Sequence, residues 1–171
     1  ILVDADLRQP SLSRQLVPNA KAGLVEVITG NSPIRDVIHL DELTDLHILP
    51  ASGPSELPAP SSDVIGSTGM KRLIEFLRHR YNYVVIDLPP LAPAVDIQAT
   101  IDFVDSYMYV IEWGRTPADL VLHHLGRSPT IHDRLLGVIL NKANTRQLNH
   151  YEKAYGSSQY TKLYSRYRYA A

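Results

Sequence analysis

The chain has 171 residues, 44% of them hydrophobic and 20% charged, enough for one α/β domain with a sizeable core. A formal net charge of −1 gives no nucleic-acid signal for the molecule as a whole, and the absence of cysteine excludes disulfides and thiolate metal sites. No apolar run approaches the ~20 residues of a membrane-spanning helix. Charge is unevenly placed: Lys153, Lys162, Arg166 and Arg168 against Glu152 make residues 151–171 a basic tail on a mildly acidic body.

Ile1-Leu2-Val3 is an apolar run of β-formers that passes directly into Asp4-Ala5-Asp6-Leu7-Arg8. It reads as a buried parallel strand with its charges at the carboxyl end, where open α/β sheets place ligands. A short helical stretch follows from Ser11 to Val17. Residues 23–30 read as a helix stopped by Gly30. Ser32-Pro33 fits an N-cap followed by Pro at the first position of a short helical turn reaching Ile38. Leu46 to Leu49 is a strand ended by Pro50. Residues 51–69 are rich in Ser, Gly and Pro and read as largely loop. Met70 to Tyr81 places Leu73, Ile74 and Leu77 on one face of an amphipathic helix. Tyr83 to Asp87 is a second buried strand ending in a carboxylate, followed by Pro89-Pro90 and a helix from Asp96 to Val104. A strand at 107–111, a helix opened by Thr116-Pro117, with Thr116 as N-cap, and a last strand at 135–141 complete the order. Strands alternating with helices over this length predict an α/β fold with a doubly wound, mainly parallel sheet flanked by helices.

Asp4 and Asp6 lie two residues apart, so both side chains point to one side while the strand continues. Two carboxylates on one side repel each other unless a cation or an arginine compensates. One reading places a Mg²⁺ ion and a phosphate there with Asp87, because Mg²⁺ favours one or two carboxylates plus waters and phosphate oxygens. The other has Asp4 capping the next helix and Asp6 pairing with Arg8. Residues 146–171 read as a flexible tail. Six of the ten tyrosines fall there, at Tyr151, Tyr155, Tyr160, Tyr164, Tyr167 and Tyr169, with no apolar periodicity that suits burial. Alone, such a tail fits a disordered end, a stacking surface for single-stranded nucleic acid, or a set of phosphoacceptors. Beside a Mg–nucleotide site the phosphoacceptor reading leads, since each phosphate adds roughly −1.5 to −2 charge.

Taken together, these segments resemble the bacterial tyrosine kinases. Ile1–Arg8 resembles their Walker A′ motif and Val84–Pro90 their Walker B with its trailing Pro-Pro. Asp96 matches the aspartate that commonly follows. Leu49-Pro50-Ala51-Ser52-Gly53 is similar to the family's LPAG stretch, Gly137–Asn141 to its GVVLN strand, and the tail to its C-terminal tyrosine cluster. The resemblance spans nearly the whole chain and implies the cytoplasmic kinase domain of a capsule or exopolysaccharide co-polymerase of the succinoglycan-transport type. The implied fold is P-loop NTPase-like with deviant Walker motifs over residues 1–145, followed by the 146–171 tail. The implied cofactors are ATP and Mg²⁺, with Asp4, Asp6 and Asp87 catalytic. Asp4 would help deprotonate the attacking tyrosine, and Asp6 and Asp87 would hold the metal. Arg8 would steady the carboxylates or contact phosphate, or else form a surface ion pair. Asn141 would contact the nucleotide base, or else cap its strand. The six tail tyrosines would be phosphorylated in trans within a ring-like homo-oligomer. A membrane-embedded co-polymerase or activator region, fused or separate, and a cognate tyrosine phosphatase are the other implied partners, with no nucleic acid. The location would be the cytoplasmic face of the bacterial inner membrane.

One departure stands out. No G-x-x-x-x-G-K-[ST] loop occurs, and Gly66, Gly69 and Gly114 lack the Lys-Ser/Thr that would replace it. These residues by themselves are expected to bind ATP poorly or not at all. The chain opens without Met inside an apolar strand, so the loop is expected upstream in a longer polypeptide; the competing reading is a degenerate, non-catalytic regulatory partner. A partitioning or cell-division-type ATPase switch on the same fold is the other alternative, and it has no need of the tyrosine cluster.

Overall fold

The computed structural model describes residues 1–51, 57–91 and 96–144. The tyrosine tail, with Tyr151, Tyr155, Tyr160, Tyr164, Tyr167 and Tyr169, lies outside the described residues, as do parts of the loops after Ala51 and Leu91. The chain forms two compact units, one from Ile1 to Asp105 and one from Ser106 onward.

The first unit is built on a four-stranded sheet of order β2-β3-β1-β4. β1 (Leu2–Asp4) lies between β3 (Leu46–Leu49) and β4 (Val85–Asp87), parallel to both. Its register sets Leu2 opposite Ile48 and Val85, and Asp4 opposite Asp87. β2 (His39–Asp41) runs antiparallel to β3, and Asp45, in the turn between them, has φ of 56°. This strand is absent from the sequence reading. It has three residues and an exposed Leu40, too little apolar alternation to announce itself. β4 is shorter than the 83–87 expected, and Val85 is 55% exposed, so it is not the fully buried strand its Val-Val-Ile run suggested.

Among its described residues this unit has the helices α1 (Ser11–Leu16), α2 (Leu24–Ile28), α3 (Ser61–Ile65) and α4 (Thr68–Arg78), with 3₁₀ turns at Ile34–Asp36 and Asp96–Thr100. α2 stops before Gly30, whose φ of +77° is the left-handed geometry glycine accepts without strain. The first free amides of α2 are satisfied by β3's exit: Leu24 N–H donates to the Pro50 carbonyl (2.8 Å) and Val25 N–H to that of Ala51 (3.0 Å). α4 begins two residues earlier than its apolar stripe suggested. The Ser67 hydroxyl accepts from Met70 N–H (3.1 Å), an N-cap that extends the helix backward. Its buried face, Met70, Leu73, Ile74 and Leu77, packs into a core with Val3, Leu24, Leu49 and Ile65. α3 is a short helix inside the stretch 51–69 that was expected to be largely loop. Pro60 stands ahead of the helix rather than inside it, and Val64 and Ile65 are buried. The helix expected over 96–104 is a five-residue 3₁₀ turn.

The second unit pairs β5 (Tyr107–Glu112) with β6 (Leu135–Asn141) in parallel, with α5 (Ala118–Gly126) and α6 (Pro129–Asp133) between them in sequence. Tyr107, Val121, Leu125 and Ile131 are buried. Thr116 is not the N-cap of α5: Pro117 occupies that position, and the Thr116 hydroxyl accepts from Glu112 N–H (3.2 Å) instead. No helix of the described residues is long and apolar enough to cross a membrane.

Candidate functional site

The register of β1 and β4 brings two carboxylates together at the carboxyl ends of adjacent parallel strands, where Asp4 faces Asp87. Asp6 follows two residues beyond Asp4, after the strand has ended. The three sit in different surroundings.

Asp4 is fully buried. Its Oδ2 accepts from the Ser13 backbone N–H (2.8 Å) and the Ser13 hydroxyl (2.5 Å), and its Oδ1 accepts from Asp6 N–H (3.1 Å). Ser13 lies in the first turn of α1, whose opening amides have no intrahelical partner. Its hydroxyl in turn accepts from Ala51 N–H (2.9 Å). The end of β1, the start of α1 and the exit of β3 are thus locked around one carboxylate. The helix-anchoring alternative for Asp4 describes these contacts. A carboxylate so enclosed has no open face toward an incoming hydroxyl, which is at odds with the expected help in deprotonating a tyrosine.

Asp6 is partly exposed. Its Oδ1 closes a local turn by accepting from Arg8 N–H (3.2 Å) and Gln9 N–H (2.9 Å). Its Oδ2 takes no hydrogen bond from the described residues. Asp87 is half-buried, and neither of its oxygens has a hydrogen-bond donor among the described residues. Burial first, then the negative charges of Asp4 and Asp6, hold its carboxyl above the ordinary range. Two neighbouring carboxylates therefore keep open oxygens and repel one another. That donor set suits one hard cation completed by water and phosphate oxygens. Among the described residues no group of three His, Cys, Asp or Glu is arranged to hold a metal ion by itself.

The Arg8 guanidinium reaches neither Asp4 nor Asp6. Its Nε donates to Asp96 Oδ2 (2.9 Å) and to the Ser61 hydroxyl (3.0 Å), and Ser61 donates to Asp96 Oδ1 (2.6 Å). This corrects the alternative of an Asp6–Arg8 side-chain pair. It is not a plain surface ion pair either, for Arg8 is 52% exposed while Asp96 is 1% exposed. Asn141 closes β6 in the second unit, where its Oδ1 accepts from Lys142 N–H (2.9 Å) and Lys142 takes φ of 56°. That is the strand-end cap reading. Sequence reasoning missed Ser13, Ala51 and Ser61 as supports of the site. Nothing local marks them, since each acts on a residue far along the chain.

No protein-family model matches the chain. It is 40% identical over 167 residues to the succinoglycan biosynthesis transport protein ExoP of Rhizobium meliloti, an alignment covering 98% of this chain and 21% of that protein. It is 25% identical over 145 residues to the tyrosine-protein kinase CpsD of Streptococcus agalactiae, covering 84% of this chain and 61% of the kinase. The crystal structure of the VpsO kinase domain superposes with a TM-score of 0.76 at 29% identity, over 84% of this chain and 70% of that one. The chain thus spans about a fifth of its transport-protein relative and under two thirds of the streptococcal kinase. The likeness to the VpsO kinase domain bears out the expected P-loop NTPase-like α/β fold with a mainly parallel sheet.

Proposed function

The chain is a homologue of the bacterial tyrosine kinases, and from that kinship we propose that it is the phosphotransfer portion of an ATP-dependent protein-tyrosine autokinase that regulates exopolysaccharide polymerisation and export. The observation that carries the reading is the pair Asp6 and Asp87, two adjacent carboxylates with open oxygens at the carboxyl ends of parallel strands. In this reading they hold Mg²⁺, largely through water. The ion, when bound, neutralises charge on the β- and γ-phosphate oxygens of ATP.

The reaction moves the γ-phosphoryl group from the β–γ bridging oxygen of ATP to a tyrosine phenol oxygen; ADP leaves and the phenol proton is released. The residues of this chain contribute position and charge. Asp87 and Asp6 fix the acidic rim, and Asp4 fixes Asp6 from beneath through its N–H. A loose transition state demands little assistance in removing the proton, so an Asp4 that supports the floor without touching the phenol is compatible with transfer. Arg8 has guanidinium N–H groups to spare for phosphate.

The proposed acceptors are Tyr151, Tyr155, Tyr160, Tyr164, Tyr167 and Tyr169 of a neighbouring copy in a ring-like oligomer. Phosphates there would reverse the tail's positive charge and loosen the ring. A membrane-embedded co-polymerase region, fused or separate, a cognate tyrosine phosphatase and a place at the cytoplasmic face of the inner membrane complete the proposal, motivated by the succinoglycan-transport relative.

Phosphopeptide mass spectrometry of residues 146–171, on the full-length natural polypeptide, tests it. Phosphate on several tail tyrosines in wild type, lost in Asp6→Asn and Asp87→Asn, is expected. An unmodified tail in a protein that still hydrolyses ATP would replace this reading with the ATPase switch.

A further inference from the structure

Asp96 and Ser61 have no part in the transfer as described above, yet they form a polar cluster that is almost completely buried. Asp96 and Ser61 are both buried. Each belongs to a different element, Ser61 opening α3 and Asp96 opening the 3₁₀ turn after β4. Both converge on one atom, the Arg8 Nε. Enclosing a carboxylate away from water is unfavourable unless it is paired and hydrogen-bonded. Here the pairing partner is supplied by the loop that carries Asp6.

The geometry around Arg8 gives the cluster a use. A guanidinium has five N–H donors in a rigid planar fork. Only the Nε donor is used, and the four terminal N–H groups have no acceptor among the described residues. Anchoring Nε fixes the plane of the fork, so those groups are held ready at little further entropic cost. The Arg8 backbone N–H meanwhile donates to Asp6 Oδ1, which leaves Oδ2 of Asp6 as the open oxygen. A planar, always-charged fork beside an acidic Mg²⁺ rim matches the oxygens of a phosphoryl group.

We propose that Asp96, with Ser61, is a positioning residue that holds the Arg8 guanidinium in place for a phosphoryl oxygen of the bound nucleotide. The inference rests on the kinase reading above for its ligand and adds the residues that set the arginine. Asp96 acts only through Arg8, and this makes the proposal testable by a double-mutant cycle.

The experiment measures affinity for the Mg²⁺ complex of the non-hydrolysable ATP analogue AMP-PNP by calorimetry, on the full-length natural polypeptide. The variants are Arg8→Ala, Asp96→Asn, the double variant and Ser61→Ala, and phosphotransfer is assayed alongside. Loss of one charge-assisted contact predicts binding about tenfold weaker in Arg8→Ala. Asp96→Asn should weaken it severalfold, and the double variant should be no weaker than Arg8→Ala. Ser61→Ala, which leaves the ion pair, should show a smaller loss in the same direction and guards against misfolding of Asp96→Asn. Unchanged affinity in Asp96→Asn and Ser61→Ala, or a double variant weaker by the product of both losses, would overturn the positioning role. Wild-type protein that binds the analogue but transfers no phosphate would overturn the kinase reading and leave the positioning role standing. Wild type that fails to bind would overturn both.

Discussion

Asp4 and Asp87 are the same residue type, face each other across one pair of parallel strands, and do opposite things. Asp4 is fully buried and accepts three hydrogen bonds, from the Ser13 backbone, the Ser13 hydroxyl and Asp6 N–H. Asp87, one strand over, has no donor among the described residues and a carboxyl raised by burial and by its two acidic neighbours. The floor of the site is therefore a structural joint and the rim is an unsatisfied one. A carboxylate that holds the fold together and a carboxylate left with open oxygens are distinguished by who donates to them, not by their place in a motif.

Substitution should separate the two sharply. Asp4→Ala strands several buried donors at once and should cost the most, about 3 kcal/mol or more of unfolding free energy, read from the urea midpoint at constant m. Ser13→Ala removes the hydroxyl that links Asp4 to Ala51 and leaves the Ala51 N–H without its acceptor. A loss of about 1–3 kcal/mol is expected in the same assay. Asp87→Asn should go the other way: relief of repulsion should stabilise the Mg²⁺-free protein near neutral pH by less than about 1 kcal/mol, since the group is half exposed and screened. A destabilisation by Asp87→Asn as large as that by Asp4→Ala would erase the distinction between floor and rim.

The pH dependence sharpens the same contrast. The Asp87 carboxyl is raised in the folded protein, so the folded state binds its proton more tightly than the unfolded chain does. Its stabilising contribution is fully present below the unfolded value near ~3.9 and is lost as pH rises through the raised folded value. Without Mg²⁺, wild type should therefore lose stability relative to Asp87→Asn as pH climbs above the ordinary carboxylate range. Melting curves of the two proteins across that range check the sign.

Local signals carried much of this architecture. The Ile1–Asp4 run, the proline after Leu49 and the stripe Leu73, Ile74, Leu77 each encode burial and termination within a few residues, and the strands and helix they mark are present. β2 and α3 went unseen for opposite reasons. β2 is too short and polar to show alternation, while α3 hides in a Ser/Pro-rich stretch whose prolines lie ahead of it. The aspartates of the site were legible because a charge directly after an apolar strand has few bland explanations. Their division of labour was not, because it depends on contacts that span the chain. Ser13 reaches Asp4 across 9 residues, Ala51 reaches Ser13 across 38, and Arg8 reaches Asp96 across 88. Periodicity and propensity act over a few residues and are silent on such pairs.

The most direct test of the open rim is the melting temperature of the full-length polypeptide with ADP, in the presence of Mg²⁺ and in the presence of a chelator, for wild type and Asp87→Asn. Ligand that binds only the folded state raises the melting temperature in proportion to its affinity. The account predicts a Mg²⁺-dependent rise in wild type that vanishes in Asp87→Asn. An equal rise in both proteins would contradict it, because the cation would then be held without the carboxylate that the sheet leaves open.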